Sequence, residues 1–325
     1  MHFLDEKRGQ HPYQTKAGTR PHIFVFTVDM IPPEFHRDPS PCRHAMRMPA
    51  WDGLRADAVD YPNAFSISPL CGPSRASLFT GRYPYIFVNE ERAHDGTEVA
   101  LRADDPIYPD YLKAIGYRLG HVGKSHIGTE AFSRVFGESC SPWNRWAPPV
   151  YDDPEYHTYL ADQGIDGFRF GREIKGVKSD GITPGNSYGG WLEQEDGSPF
   201  PMAGTYPHYL VHRALGVLDS LRQQGEDEPL YLHVDLFAPH QPFFLPAGLE
   251  EREHELRAQI PLPEGYTSWQ ANGAQPGEPR IYGTYERNWG LYDAAVAREY
   301  QIANMLQMEV IDAALAHFLD RLKEL

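Results

Sequence analysis

Two apolar runs dominate the pattern of hydrophobic and polar positions, PHIFVFTVDM at 21–30 and PLYLHVDLFAPHQPFF at 229–244. Both are rich in β-branched and aromatic residues, which predicts buried strands of a parallel sheet. A third strand is predicted by YRLGHVG at 117–123. Amphipathic helices are predicted over 48–59, 206–224 and 293–325. The alternation indicates an α/β fold with a mainly parallel central sheet flanked by helices.

The predicted domain covers residues 21–325 and follows a polar lead-in over 1–20. Its last helix carries an apolar stripe of Ile302, Leu306, Ile311, Leu315, Phe318 and Leu322. Two segments rich in glycine and proline, at about 130–205 and 246–290, lack sustained periodicity and are predicted to be long loop excursions over the sheet edge. Such excursions often shape substrate pockets.

The segment SPLCGPSRASLFTGRYP at 68–84 predicts a short helix that starts at Pro73 and ends at Gly81. Cys71 therefore lies near a helix N-terminus, where backbone N–H groups and the helix dipole favour an anion. Arg75 would favour an anion as well. These residues alone leave two interpretations of Cys71, a thiolate of low pKa or a small buried apolar side chain.

Composition excludes several classes of partner. The formal net charge of −15 argues against nucleic acid and anionic membranes, so any anion site must be a local basic pocket. The N-terminus lacks the apolar region of a secretory signal, and no apolar run has the length of a membrane span. Cys42, Cys71 and Cys140 form neither a disulfide framework nor a metal knuckle. We expect a cytoplasmic protein with reduced thiols.

Polar side chains that could take part in binding or catalysis lie at four predicted strand or loop ends. They are Asp29, Cys71 with Arg75, Lys124 with His126, and His240. Each alone is more often a cap, a loop residue or a solvated surface group. Ligands of open α/β sheets bind at the carboxyl edge of the strands, so we expect these residues to converge on one site there.

The segment from Cys71 to Arg82, with Pro73, Ser74, Arg75, Thr80 and Gly81 in register, resembles the sulfatase signature C-x-P-S-R-x(4)-T-G-R. HIFVFTVD resembles the first strand of that family with its metal-binding acid. GYRLGHVGKSHIG and YLHVDLFAPHQPF resemble two further sulfatase blocks, in the same order. The resemblance covers roughly residues 21–325. It implies the alkaline-phosphatase-like fold and a hydrolase that cleaves a sulfate ester.

The resemblance also implies how the signature would be used. The Cys71 side chain would be oxidised to formylglycine by a formylglycine-generating or sulfatase-maturating enzyme that reads Pro73 and Arg75. The aldehyde would hydrate to a diol, and one hydroxyl would attack the sulfur atom. Arg75 would hold the diol.

The same resemblance assigns the remaining residues. Lys124 and His126 would bind the sulfuryl oxygens, and His240 would contact the substrate and protonate the leaving oxygen. Asp29 and the Cys71-derived group would bind a divalent cation, with calcium preferred over manganese or magnesium. The partners implied are a small-molecule ester and the maturation enzyme, and a homo-oligomer is left open.

The sequence departs from the family at two places. Met30 stands where a second acid is usual, and a thioether is a poor ligand for a hard cation. Relatives that act on phosphonate monoesters or choline sulfate manage with one acid there. Relatives also continue past a helix like 293–325 into a strand that ends in Ser-Asp-His-Gly or Asp-Asn, so we expect the catalytic domain to be incomplete at its C-terminus.

Three hypotheses follow from these residues. The first is a sulfatase that cleaves a sulfate ester. The second keeps the site but changes the substrate to a phosphonate or phosphate ester. The third is a non-catalytic protein that retains the fold and the anion pocket.

Overall fold

The structure is a computed structural model, and it describes residues 20–83, 101–137, 140–143, 147–178, 180–225, 228–272, 277 and 289–324. The predicted lead-in at 1–20 lies outside these residues except for Arg20. The strands are β1 (Ile23–Thr27), β2 (Arg118–Lys124), β3 (Cys140–Trp143), β4 (Phe168–Val177), β5 (Pro184–Gln194), β6 (Leu230–Asp235) and β7 (Phe243–Leu245).

Ten helices accompany the strands in the described part of the chain. They are α1 (Pro41–Ala45), α2 (Pro49–Ala56), α3 (Cys71–Thr80), α4 (Tyr108–Ala114), α5 (Glu130–Phe136), α6 (Pro154–Asp162), α7 (Tyr206–Gln223), α8 (Glu250–Gln259), α9 (Glu264–Asn272) and α10 (Ala294–Leu322). None of the helices described is both long and apolar enough to cross a bilayer.

The central sheet has the strand order β1-β6-β2-β3, and all its pairings are parallel. This confirms the predicted α/β class. Successive side chains of β6 point to opposite faces, as strand geometry requires. Leu230, Leu232 and Val234 belong to one core cluster, whereas Tyr231 belongs to another. The sheet is therefore covered on both faces.

Helices α7 and α10 supply the larger core cluster, and α3 and α5 supply the smaller one. The apolar stripe predicted for the last helix is buried in α10 at five positions, with the sixth packed against the core. In order, these are Ile302, Leu306, Ile311, Leu315, Phe318 and Leu322. Phe318 packs edge-on against Phe24 of β1, with ring centroids 6.3 Å apart. The C-terminal helix thus holds the outer strand of the sheet.

The prediction of loop excursions over 130–205 is wrong for the residues described. That segment contains α5 and α6, and it contains β4 and β5, which pair antiparallel in a second sheet of order β4-β5-β7. Several glycines and irregularities in the pairing of β4 with β5 interrupt the alternation that would reveal these strands. At Gly190, for example, an added Cβ would lie 2.1 Å from the Arg172 carbonyl oxygen.

Two further predictions are corrected in the second half of the chain. The run 229–244 is two strands, because β6 ends at Asp235 and β7, which starts at Phe243, joins the second sheet. The segment 246–290 contains α8 and α9 among its described residues. Helix α8 shows little apolar periodicity, and ion pairs such as Arg252 with Glu309, 2.7 Å apart, help to hold it in place.

Candidate active site

The register of the central sheet aligns the carboxyl ends of three strands. Asp235, the last residue of β6, is level with Thr27 on β1 and with Gly123 on β2. Asp29 follows two residues after Thr27, and Lys124 follows directly after Gly123. Parallel strands therefore deliver Asp29, Lys124 and Asp235 to one edge, as predicted for the first two residues.

Gly123 allows the close approach of β2 to β6 at this edge. Its φ is +108°, and a Cβ placed on it would lie 2.0 Å from the carbonyl oxygen of Asp235. An L side chain fits neither this backbone conformation nor this space. Gly123 thus allows the close contact between β2 and β6 that positions the backbone of Lys124.

Lys124 and Asp29 form a largely buried ion pair. The Lys124 ammonium donates to Asp29 Oδ2 at 2.5 Å, and the lysine side chain is fully buried. Burial opposes ionisation of Asp29, but Lys124 and Arg75 outweigh it and hold the pKa of the carboxyl below its usual range. Asp29 is therefore a carboxylate at neutral pH.

Arg75 lies between two carboxylates. One guanidinium nitrogen donates to Asp235 Oδ1 at 3.0 Å and to the Lys124 carbonyl oxygen at 2.7 Å. The other terminal nitrogen lies 3.9 Å from Asp29 Oδ1. The arginine is 5% exposed. These contacts fix helix α3 to the ends of β2 and β6.

Cys71 is the first residue of α3, which begins two residues before the predicted start at Pro73 and ends, as predicted, at Gly81. The side chain is half-buried. Burial raises the pKa of the Cys71 thiol, and Lys124 and Arg75 do not reverse the shift. This direction is opposite to that of a low-pKa thiolate, because desolvation outweighs the cations.

His126 stands two residues beyond β2, with φ of +53°, an uncommon conformation for a residue with a side chain. Burial, then the charges of Lys124 and Arg75, lower the pKa of His126 to about 4. Its Nδ1 is buried and has no hydrogen-bond partner among the residues described. A buried polar atom without a partner is uncommon in folded proteins.

His240 follows β6 in a turn that Asp29 helps to hold, since the Asp29 amide donates to the Ala238 carbonyl oxygen at 3.3 Å. His240 Nδ1 donates to the Gln241 carbonyl oxygen at 2.6 Å. The neutral ring consequently carries its lone pair on Nε2. Burial, with Lys124 next in effect, lowers the pKa of His240 and keeps the ring neutral.

Sequence reasoning missed the buried cluster behind these residues. Asp235 Oδ2 accepts from His121 Nε2 at 2.8 Å and lies 3.3 Å from His233 Nε2. His233 Nε2 also lies 2.6 Å from Thr27 Oγ1. Asp235 has the signal that singled out Asp29, because both acids stand at the end of a strand run of the form T/H-V-D.

The six predicted site residues are brought together. Asp29, Arg75 and Lys124 touch one another directly, and the electrostatic environments of Cys71, His126 and His240 each include all three of these charges. Pro73, of the predicted maturation motif, is buried in the first turn of α3.

The predicted cation site is less complete. Among the residues described, no group of three or more His, Cys, Asp or Glu side chains lies close enough to hold a metal ion. The carboxylate of Asp29 is engaged by Lys124, and Met30 is 43% exposed with φ of +53°. Calcium takes about six to eight oxygen ligands. The described residues alone therefore do not fit it.

A family model described as Sulfatase matches residues 38–325 of this chain. The uncharacterized sulfatase YidJ of Escherichia coli K12 is 28% identical over 243 residues, which are 71% of this chain and 43% of that protein. N-acetylgalactosamine-6-sulfatase of Sus scrofa is 35% identical over 129 residues, 33% of this chain and 25% of that protein. The chain thus spans less than half the length of these curated relatives.

Among solved structures, a phosphonate monoester hydrolase from Silicibacter pomeroyi superposes with a TM-score of 0.62. The sequences are 17% identical, and the superposition covers 94% of this chain and 60% of the other. At that identity the similarity concerns the fold, which is the alkaline-phosphatase-like arrangement expected from the sequence motifs.

Proposed function

Because the chain belongs to the sulfatase family, as the match over residues 38–325 demonstrates, we propose that it provides the nucleophile and the anion-binding groups of an ester hydrolase. The substrate class is a sulfate ester, with a phosphonate ester as the second candidate. The observation that carries the proposal is the placement of Cys71 at the start of α3, beside the buried cations Arg75 and Lys124.

In this proposal the nucleophile is formylglycine made from Cys71. The raised pKa of the thiol supports it, since a neutral thiol is a weak nucleophile. One hydroxyl of the hydrated aldehyde releases its proton to solvent and attacks the sulfur atom, and the S–O bond to the leaving group breaks. The second hydroxyl then releases its proton to solvent, the carbonyl re-forms as the C–O bond to the sulfated oxygen breaks, and sulfate leaves with the oxygen of the first hydroxyl. Water hydrates the aldehyde for the next cycle.

Lys124 and His126 would receive the oxygens of the ester, and Arg75 would both hold the diol and contribute its charge to the bound ester. The two cations offset the negative charge that shifts onto the oxygens as the bond breaks. His126 is neutral at physiological pH and offers the unpaired Nδ1 described above. A donor at that position requires the Nδ1–H tautomer. The three groups project from α3 and from the end of β2, so the sheet edge fixes their spacing.

His240 would protonate the leaving oxygen. Its Nδ1–H is committed to the Gln241 carbonyl oxygen, so proton transfer to the substrate runs through Nε2. The pKa of His240 is lowered in the free protein, and an anionic ester bound nearby would raise it again. The ring would take up a proton when substrate binds and deliver it to the departing alkoxide.

A divalent cation remains part of the proposal. Asp29 and a hydroxyl of the Cys71-derived diol would be its ligands in this chain, and the other ligands would come from outside the described residues. None of the steps above depends on it.

One observation favours the second candidate substrate. Met30 replaces the acid expected beside Asp29, so the site has one negative charge fewer. Relatives that act on phosphonate monoesters also have a single acid at this strand. The name of the relative from Sus scrofa, an N-acetylgalactosamine-6-sulfatase, supports the sulfate ester. Direct comparison of 4-nitrophenyl sulfate with 4-nitrophenyl phenylphosphonate would rank the two substrates.

The nucleophile is tested with Cys71→Ser, matched by Cys71→Ala. The serine variant can attack once but cannot expel sulfate by forming a carbonyl, so incubation with the ester should leave the mass of one sulfuryl group on the peptide that contains the substituted position. The same peptide of the alanine variant should acquire none. The wild-type peptide from the native host should show the aldehyde mass. Hydrolysis by a preparation that contains only unmodified thiol would refute the formylglycine mechanism.

A further inference from the structure

Asp235 is a buried carboxylate for which the proposed mechanism has no use. It is 0% exposed. Oδ1 accepts from Arg75, whereas Oδ2 faces His121 and His233 on the side away from the arginine. Burial opposes its ionisation, but His233 and Arg75 hold the pKa of Asp235 well below the usual range. A permanent negative charge therefore lies directly behind one of the two cations of the site.

This charge reduces the attraction of the site for anions. Arg75 is 3.0 Å from Asp235 and 3.9 Å from Asp29, and Lys124 is 2.5 Å from Asp29. The two cations are thus matched by two carboxylates. Water and salt screen buried charges weakly, so the charge of Asp235 acts on a ligand held beyond Arg75.

We propose that Asp235 is a specificity-determining residue, whose charge favours esters with a single negative charge at the reacting group over esters with two. The inference rests on the proposed function, because it assumes that the ester binds at Arg75 and Lys124. Sulfate monoesters and phosphonate monoesters carry one negative charge each. Phosphate monoesters carry nearly two at neutral pH, since their second pKa is about 6. Asp235 would thus favour the binding of both candidate substrates over the binding of phosphate monoesters.

The test compares two ligands of the same shape, methyl sulfate with one charge and methyl phosphate with two at about pH 8. Binding is measured by isothermal titration calorimetry in a Cys71→Ala background, which prevents turnover, with calcium and again with a chelator. Asp235→Asn and Asp235→Ser remove the charge, and Asp235→Glu keeps it. Asp312→Asn is the control, since Asp312 is a buried carboxylate that accepts from the backbone of Ala50 and Trp51.

The measured quantity is the Kd for methyl phosphate divided by the Kd for methyl sulfate. We expect this ratio to fall roughly tenfold in Asp235→Asn and Asp235→Ser, as for a unit charge removed from about 10 Å away at an effective dielectric constant of about 20. It should not change in Asp235→Glu or in the control. If Asp235 had only a structural role, its replacement would lower the affinity for both ligands by the same factor and leave the ratio unchanged.

If the ratio is unchanged in a charge-removing variant that folds, the inference about Asp235 fails and the proposed function stands. An equal shift in Asp235→Glu or in Asp312→Asn would overturn the inference too. If the protein with Asp235 intact bound neither ligand, the proposed function would fail, and the inference would fail with it.

Discussion

Three glycine-to-alanine substitutions test the strand contact that carries the site. Gly123 has φ of +108°, and its added methyl group would meet the backbone of β6 at 2.0 Å. Gly120 lies on the same strand, but its methyl group would meet side chains, with Val217 Cγ1 nearest at 2.6 Å. Gly216 lies on α7, and nothing stands within 4 Å of its added methyl group.

The three environments predict three free energies. Gly123→Ala combines a strained backbone conformation, which costs about 1–3 kcal/mol, with overpacking, which costs about 1–3 kcal/mol. We expect the free energy of unfolding to fall by about 4 kcal/mol, the sum of the two central values. Gly120→Ala should cost about 1–2 kcal/mol, because the facing side chains can move. Gly216→Ala should stabilise the protein by about 0.5–1 kcal/mol, since alanine is the better helix former.

Urea denaturation followed by circular dichroism measures all three values on one scale. Calorimetric titration with methyl sulfate adds a functional readout, because separation of β2 from β6 would displace Lys124 and should weaken binding in Gly123→Ala alone. A Gly123→Ala variant as stable as Gly120→Ala, or one that binds the ligand like wild type, would show that the close contact at Gly123 does not hold the site together.

Two further predictions concern buried charge. Lys124→Met should destabilise the protein by about 3–5 kcal/mol, because it leaves the largely buried Asp29 without its partner cation. Adding Asp29→Asn should recover part of this loss in a double-mutant cycle measured by denaturation. Strict additivity of the two substitutions would contradict the ion pair. Burial lowers the pKa of His208 to about 4, so the unfolded chain binds more protons between that pH and about 6.5, and stability should fall on acidification through this window. His208→Gln should remove on the order of 3 kcal/mol of that loss in pH-dependent denaturation. An equal effect of the same change at His254, which is exposed, would contradict this prediction.

The strands at the site follow directly from the sequence. A buried parallel strand reads as a continuous apolar run, and β1 and β6 both lie within such runs, whereas β2 lies in the more mixed segment YRLGHVG followed by Lys124. Asp29 and Lys124 stand at the ends of two of these three strands, so their convergence follows from the geometry of a parallel sheet. Asp235 ends the third strand and was missed, because the predicted strand ran on to His240 and placed the acid inside it.

The second sheet could not be read in the same way. Its strands are interrupted by glycines and irregular pairing, and the short β7 reaches it from the end of an apolar run that also contains β6. Whether an extended segment joins one sheet or another depends on which backbone lies beside it. That neighbour is distant in sequence, as it is for β5 and Phe243.

The class of fold, the edge at which the site lies and the residue types that meet there can all be predicted from the amino-acid sequence, because apolar periodicity and strand ends are local properties. The charge of the site depends instead on the folded chain. The fold places Arg75 between Asp29 and Asp235, seats Lys124 on Asp29, and buries the Cys71 thiol enough to raise its pKa. These effects depend on burial and on distances between distant segments, which a linear pattern does not contain.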